Sequence, residues 1–145
     1  MRRKQKVHVY DKAKYHEASV EEQGLPTHYS ENHTLFFLRW IIERNLISDL
    51  FRAILNENPN KSTPDIYRLF GGCFTSEMPS SLGNAFVMDY FENGEYLNEY
   101  AALLQKDLPT YWHIPYSEEN YEELQPMLDD RYKAWLESAP PLINH

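Results

Sequence analysis

The stretch HYSENHTLFFLRW, residues 28 to 40, sets His28 and His33 five residues apart, directly before a dense run of apolar side chains. Two imidazoles hold a metal from one helix when they stand three or four residues apart and share a face. A spacing of five does not do this, and the pair straddles a predicted helix start. Loops could still gather His16, His28 and His33, but nothing in their spacing requires it. The reading is therefore a hydrogen-bonded histidine at a helix entrance, with no metal ion and no cofactor expected.

Other chemistry-bearing residues are equally reticent. Cys73 lies in RLFGGCFTSE between Phe70 and Phe74, where a thiol reads as a small buried hydrophobe rather than a nucleophile. Gly71 and Gly72 lack the preceding strand and following lysine of a phosphate loop and read as a helix stop. Paired acids recur at Glu21-Glu22, Glu118-Glu119, Glu122-Glu123 and Asp129-Asp130. Neighbouring acids on a helix diverge, and those at 118 to 123 sit where a helix N-terminus favours negative charge. Read functionally, Glu118, Glu119, Glu122 and Glu123 form an acidic surface for a basic partner, with Trp112 and Tyr116 as aromatic anchors. No catalytic residues are assigned, and a binding protein is expected rather than an enzyme.

The elements that must position these residues are mostly helical. From Ser30 as a cap, a helix runs to about Arg44. Its apolar residues Leu35, Phe36, Phe37, Leu38, Trp40, Ile41 and Ile42 leave only a narrow polar stripe through Arg39 and Glu43. A helix apolar nearly all round belongs at the centre of the fold. Asn45 closes it, Ser48 caps a second helix through SDLFRAILNEN, and Thr63-Pro64 starts a third that ends at Gly71-Gly72. SSLGNAFVMDYFENG reads as a helix whose Gly83 costs about 1 kcal/mol against Ala, so close packing against a neighbour is expected there. EYLNEYAALLQ follows it as the second arm of a hairpin. DLPTYWHIPY, bracketed by Pro109 and Pro115, should lie extended across the core near residues 107 to 116. Ser117 opens the last helix, in which Pro126 makes a kink or a new start. Residues 7 to 29 lack helical periodicity, with a short strand at VHVY.

The expected architecture is thus mainly α: one domain of about six helices over residues 7 to 138, a basic flexible N-terminus at 1 to 6, and a tail at 139 to 145. At 145 residues, with 14% aromatic content, one well-filled core is within reach. The single cysteine excludes an internal disulfide and fits a reducing compartment. MRRKQK is not followed by the apolar segment of a signal peptide, and no span approaches the roughly 20 apolar residues of a membrane helix, so a cytoplasmic protein without a membrane partner is expected. Net charge is −8 overall, but residues 7 to 145 carry ten basic against 22 acidic side chains. That body should repel nucleic acid and attract basic surfaces.

Six blocks carry a family resemblance: YDKAKYH at 10 to 16, HTLFFLRWIIERNLIS at 33 to 48, GNAFVMDYF at 83 to 91, YLNEYAALL at 96 to 104, DLPTYWHIPYSEENYEEL at 107 to 124 and RYKAWL at 131 to 136. Together they resemble successive blocks of a bacterial domain family of unknown function. The blocks are packing patterns of aromatics, Gly and Leu, and the resemblance supplies no catalytic residues; His28 and Tyr29 fall outside it. Small acidic single-domain bacterial proteins of this kind are similar to immunity proteins, which neutralise toxins delivered by neighbouring cells. The resemblance implies a cognate toxin as partner, occluded at its active-site region by the acidic, aromatic-containing face. The alternatives are a small enzyme with a pocket lined by His16, His33 and nearby acids, and a regulatory or scaffold module that binds without inhibiting.

Overall fold

In the computed structural model, which describes residues 6–138, the chain is built around one helix. The basic segment and the C-terminal tail expected from the sequence lie outside the described residues but for Lys6. The central helix is α2, Asn32–Glu43, preceded by β1 (Val9–Lys12) and a short helix α1 (Glu17–Glu22). Leu35, Phe36, Phe37, Leu38, Trp40 and Ile41 are all at most 2% exposed. Burying six such side chains at about 1.5–3 kcal/mol each makes α2 the main hydrophobic contributor to the core. Its polar stripe is as narrow as the sequence implies, with Arg39 donating to Glu43 one turn on at 3.1 Å.

Around α2 stand α3 (Asp49–Glu57), α4 (Thr63–Leu69), β2 (Cys73–Thr75), α5 (Ser81–Phe86), α6 (Glu95–Leu104) and α7 (Glu118–Ser138). The fold is mainly α, a single domain with one small two-stranded sheet. Seven α-helices are present among the described residues, one more than expected, because α1 has too little helical periodicity to show in the sequence. Serine hydroxyls cap α3, α4 and α5: Ser48 accepts from Phe51 N, Ser62 from Asp65 N and Ser80 from Gly83 N. Each satisfies one of the orphan donors at a helix start. Asn45 closes α2 at φ 59°, and Gly71 and Gly72 stop α4 at φ 67° and 70°. α5 continues as a π-helical turn, Val87–Phe91. α7 runs unbroken through Pro126, with Ser117 Oγ accepting from Asn120 N at its start.

Some expectations are corrected. Ser30 does not cap α2; a 3₁₀ turn over Thr27–Glu31 feeds the helix directly, and Ser30 is buried. α4 begins at Thr63-Pro64 as expected, with Ser62 as its cap. Cys73 is half-buried rather than a core residue, because it lies on β2, whose pairing with β1 has no strong sequence signal. Close packing at Gly83 is present: a Cβ there would meet the Leu46 carbonyl oxygen at 2.5 Å. Between α6 and α7 the Pro-bracketed segment is not extended but bends over 106–110, takes a 3₁₀ turn at Tyr111–His113, and lies against the core with Ile114 fully buried. Among the described residues no helix is long and apolar enough to cross a membrane.

Candidate functional site

The acidic side chains singled out in the sequence stand on the first two turns of α7. Glu118, Glu119, Glu122 and Glu123 are all placed toward solvent, because the helix turns Tyr121 and Leu124 inward. Two of the four are engaged. Glu118 pairs with Arg39 at 2.9 Å, which holds its carboxyl below the ordinary range, and Glu123 pairs with Lys106 at 2.8 Å. Glu119 and Glu122 make no ion pair among the described residues. Over its whole length α7 carries seven acidic and two basic side chains. Beside its N-terminus, a hollow of about 530 Å³ opens between the end of α6 and the start of α7, with Asp107, Leu108, Pro115 and Glu119 among its walls.

Trp112 and Tyr116 are placed differently from free anchors. Tyr116 is half-buried with its ring 4.8 Å from Phe36. Trp112 is also half-buried, and its indole lies against two imidazoles, His16 at 5.0 Å and His33 at 5.6 Å between ring centroids. Both aromatics spend much of their surface inside the protein, so the exposed part of this face is carried by its carboxylates.

The imidazoles beneath Trp112 belong to a second constellation. β1 carries Asp11, and a register shift between Val9 and Asp11 places a bulge just before it, a device that re-aims side chains at strand ends. The chain then turns through a 3₁₀ segment, Ala13–His16, which brings His16 back over the strand. α2 presents His33 and Thr34 from its first turn, where Asn32, His33 and Thr34 are all buried. Asn32 and Thr34 are satisfied there, Asn32 donating to the Ile114 carbonyl at 2.9 Å and Thr34 to Asp11, while the Tyr96 hydroxyl donates to the His33 backbone carbonyl at 2.7 Å.

Asp11 is the hub, only 7% exposed. One carboxylate oxygen lies 2.6 Å from His16 Nε2, and the other lies 3.1 Å from His33 Nε2 and accepts from Thr34 Oγ1 at 2.8 Å. Burial pushes the Asp11 carboxyl up, but hydrogen bonding to His16 and His33 and their charge outweigh it and hold the group well below the usual carboxylate range. The ligand atoms of Asp11, His16 and His33 lie within 4.8 Å of one another, an arrangement that could hold a metal ion. His33 Nδ1 is buried without a hydrogen-bond partner, as are the Tyr67 and Tyr100 hydroxyls.

The structure thus brings together His16 and His33 and leaves His28 apart. His28 is exposed against Tyr29 and lines a separate hollow of about 220 Å³ with Glu31, Arg68 and Tyr116. Asp11 is the member that spacing alone does not single out. Its signal is local: YDKAKYH places an acid and an imidazole five residues apart at the point where a strand gives way to a turn.

No curated protein and no solved structure matches the chain. A family match runs over residues 9–114, which takes in the strand bearing Asp11, both histidines and Trp112 and ends before the four glutamates of α7. That is well over half of the sequence, and the chain belongs to the family described as Domain of unknown function (DUF7832).

Proposed function

We propose that the protein works by binding another protein: it is an immunity-type inhibitor that neutralises a cognate bacterial toxin in the cytoplasm by covering the toxin's active-site region. The observation that carries this reading is the exposed carboxylate set at the N-terminal end of α7 beside a hollow large enough for a partner's basic side chain. A toxin that acts on nucleic acid or another anionic substrate has a basic cleft, and an acidic face meeting it gains association rate through steering. The hollow supplies what charge alone lacks, a concave place for an arginine or lysine of the toxin between Asp107 and Glu119. Glu119 and Glu122 are placed to meet cations directly. Glu118 and Glu123 contribute through the summed field while held by Arg39 and Lys106.

The test is co-expression with the product of the neighbouring gene, followed by growth rescue and association kinetics over a salt series. Reversal of Glu118, Glu119, Glu122 and Glu123 to Lys should lower the on-rate more than about tenfold at low salt, with the difference shrinking as salt screens it. No complex with that neighbour, or binding indifferent to salt and to the four reversals, overturns the reading. A second reading, a small enzyme built on His16 and His33, is favoured by the convergence of both with Asp11. Turnover that disappears in His16→Ala while the toxin complex persists would select it.

A further inference from the structure

We propose that Asp11, His16 and His33 are a binding site for a first-row divalent transition-metal ion, zinc(II) above all. The proposal goes beyond toxin binding and rests on different residues. Ligands at about 2.0–2.1 Å from a tetrahedral zinc stand about 3.3 Å from one another. Asp11 Oδ2 stands 3.1 Å from His33 Nε2, and Asp11 Oδ1 stands 2.6 Å from His16 Nε2. With one atom taken from each residue the three ligand atoms lie within 4.8 Å of one another, so an ion would draw the set together by up to about 1.5 Å, and His16, the half-buried member on a short turn, has the most room to move.

The other two ligands are fixed. Thr34 Oγ1 orients the Asp11 carboxylate, as outer-shell donors do for metal-bound carboxylates, and α2 holds His33 with its carbonyl pinned by Tyr96. The site differs from an ordinary structural histidine in two respects. First, Asp11 and His33 are both buried and face each other, whereas the unpartnered Nδ1 of His33 favours neither reading, because a ligating imidazole also donates through its second nitrogen. Second, both imidazoles turn Nε2 to the same carboxylate, which brings three ligand atoms into one small volume instead of distributing them. Two imidazoles and one carboxylate select zinc(II) and its neighbours over magnesium or calcium, which take oxygen sets. Three protein ligands leave one position for water or an external donor, the pattern of open rather than closed zinc sites. Trp112 packs on both imidazoles.

The experiment uses the full chain without an affinity tag. Cobalt(II) is titrated in and followed by visible absorption, zinc(II) by competition and by thermal melting. A single site should give saturable one-to-one cobalt bands that zinc removes, and zinc at a hundred times its Kd should raise Tm by about 8 °C. His16→Gln and Asp11→Asn should each weaken zinc by at least the roughly 10–100-fold that even outer-shell losses cost, while His28→Ala leaves it unchanged. Circular dichroism verifies folding, and His16→Gln, at a half-buried position, keeps the test open where a core change would not fold. Absence of one-to-one binding by the natural chain overturns the proposal. So does equal affinity in the natural chain and the two ligand variants, which would place the ion on surface histidines.

Discussion

Gly83→Ala tests a close backbone approach between α5 and the chain that follows α2. Gly83 sits in the first turn of α5, where alanine would ordinarily stabilise a helix by about 1 kcal/mol. The added Cβ would lie 2.5 Å from the Leu46 carbonyl oxygen, 3.0 Å from Pro79 Cβ and 3.3 Å from Leu46 Cβ. Ordinary contact begins near 3.4 Å, so about 0.9 Å of separation must be found. The oxygen cannot swing aside cheaply, because it accepts from Ser80 N at 2.9 Å, and Ile47 and Pro79 are bridged next to it. α5 would have to retreat from the chain that follows α2, opening contacts made by Phe86, which is 1% exposed. Overpacking of this kind costs about 1–3 kcal/mol, and a pinned backbone oxygen belongs at the upper end. With the helix gain subtracted, the net loss is about 2 kcal/mol, or about 6 °C in Tm for a domain of this size. Urea unfolding and calorimetry of the variant measure it. A variant as stable as the natural chain, or more so, refutes the packing account and shows that helix propensity outweighs the close contact.

Two further outcomes follow from the core and its edge. Trp40 is fully buried and packs against Phe37, Phe86 and Tyr132, so Trp40→Ala should cost about 3–5 kcal/mol, and an unchanged thermal midpoint would contradict its central role. Asp129 accepts from the Trp40 indole at 2.9 Å and from Arg44 at 2.7 Å, and hydrogen bonding to Arg44 is the main reason its carboxyl titrates below the ordinary range. A group with a depressed folded pKa stabilises fully above its unfolded value, about 3.9, and loses that contribution as pH falls through the folded value. The Tm difference between the natural chain and Asp129→Asn should therefore be largest above about pH 5 and narrow toward pH 2; a gap constant across that range would show that the charge is not what matters.

The helical frame is legible because its signals are local. Ser48, Asn45, Gly71 and Ser117 act where their residue types imply, and the near-continuous apolar run of α2 could only belong inside. The misses have a common cause. α1 spans six residues with Val20 alone buried, too short to show a periodicity, and β2 spans three residues, whose pairing with β1 depends on contacts some 60 positions apart. Ser30 is a good cap by type, yet tertiary burial beside a 3₁₀ turn claims it for another role.

The Asp11 constellation is illegible in the sequence for a different reason. A helical metal pair announces itself because one element fixes both ligands, so spacing encodes geometry. Here a bulged strand, a 3₁₀ turn and the first turn of α2 supply one member each, and only their packing brings the three together. His16 and His33 can be named as histidines of interest, but the choice between His28 and Asp11 as their companion is made by the direction in which the chain leaves β1. Trp112 shows the same dependence. Among prolines and aromatics it reads equally as an interfacial anchor or as packing, and its indole lies on two imidazoles 79 and 96 residues upstream. A substitution there consequently separates the two proposals. If Trp112 covers a metal position, Trp112→Ala should alter the cobalt bands and leave the on-rate for a basic partner nearly unchanged, because steering depends on the carboxylates of α7 and not on the ring. A variant whose only defect is faster loss of the partner would instead make Trp112 a contact residue and leave the site beneath it without a lid.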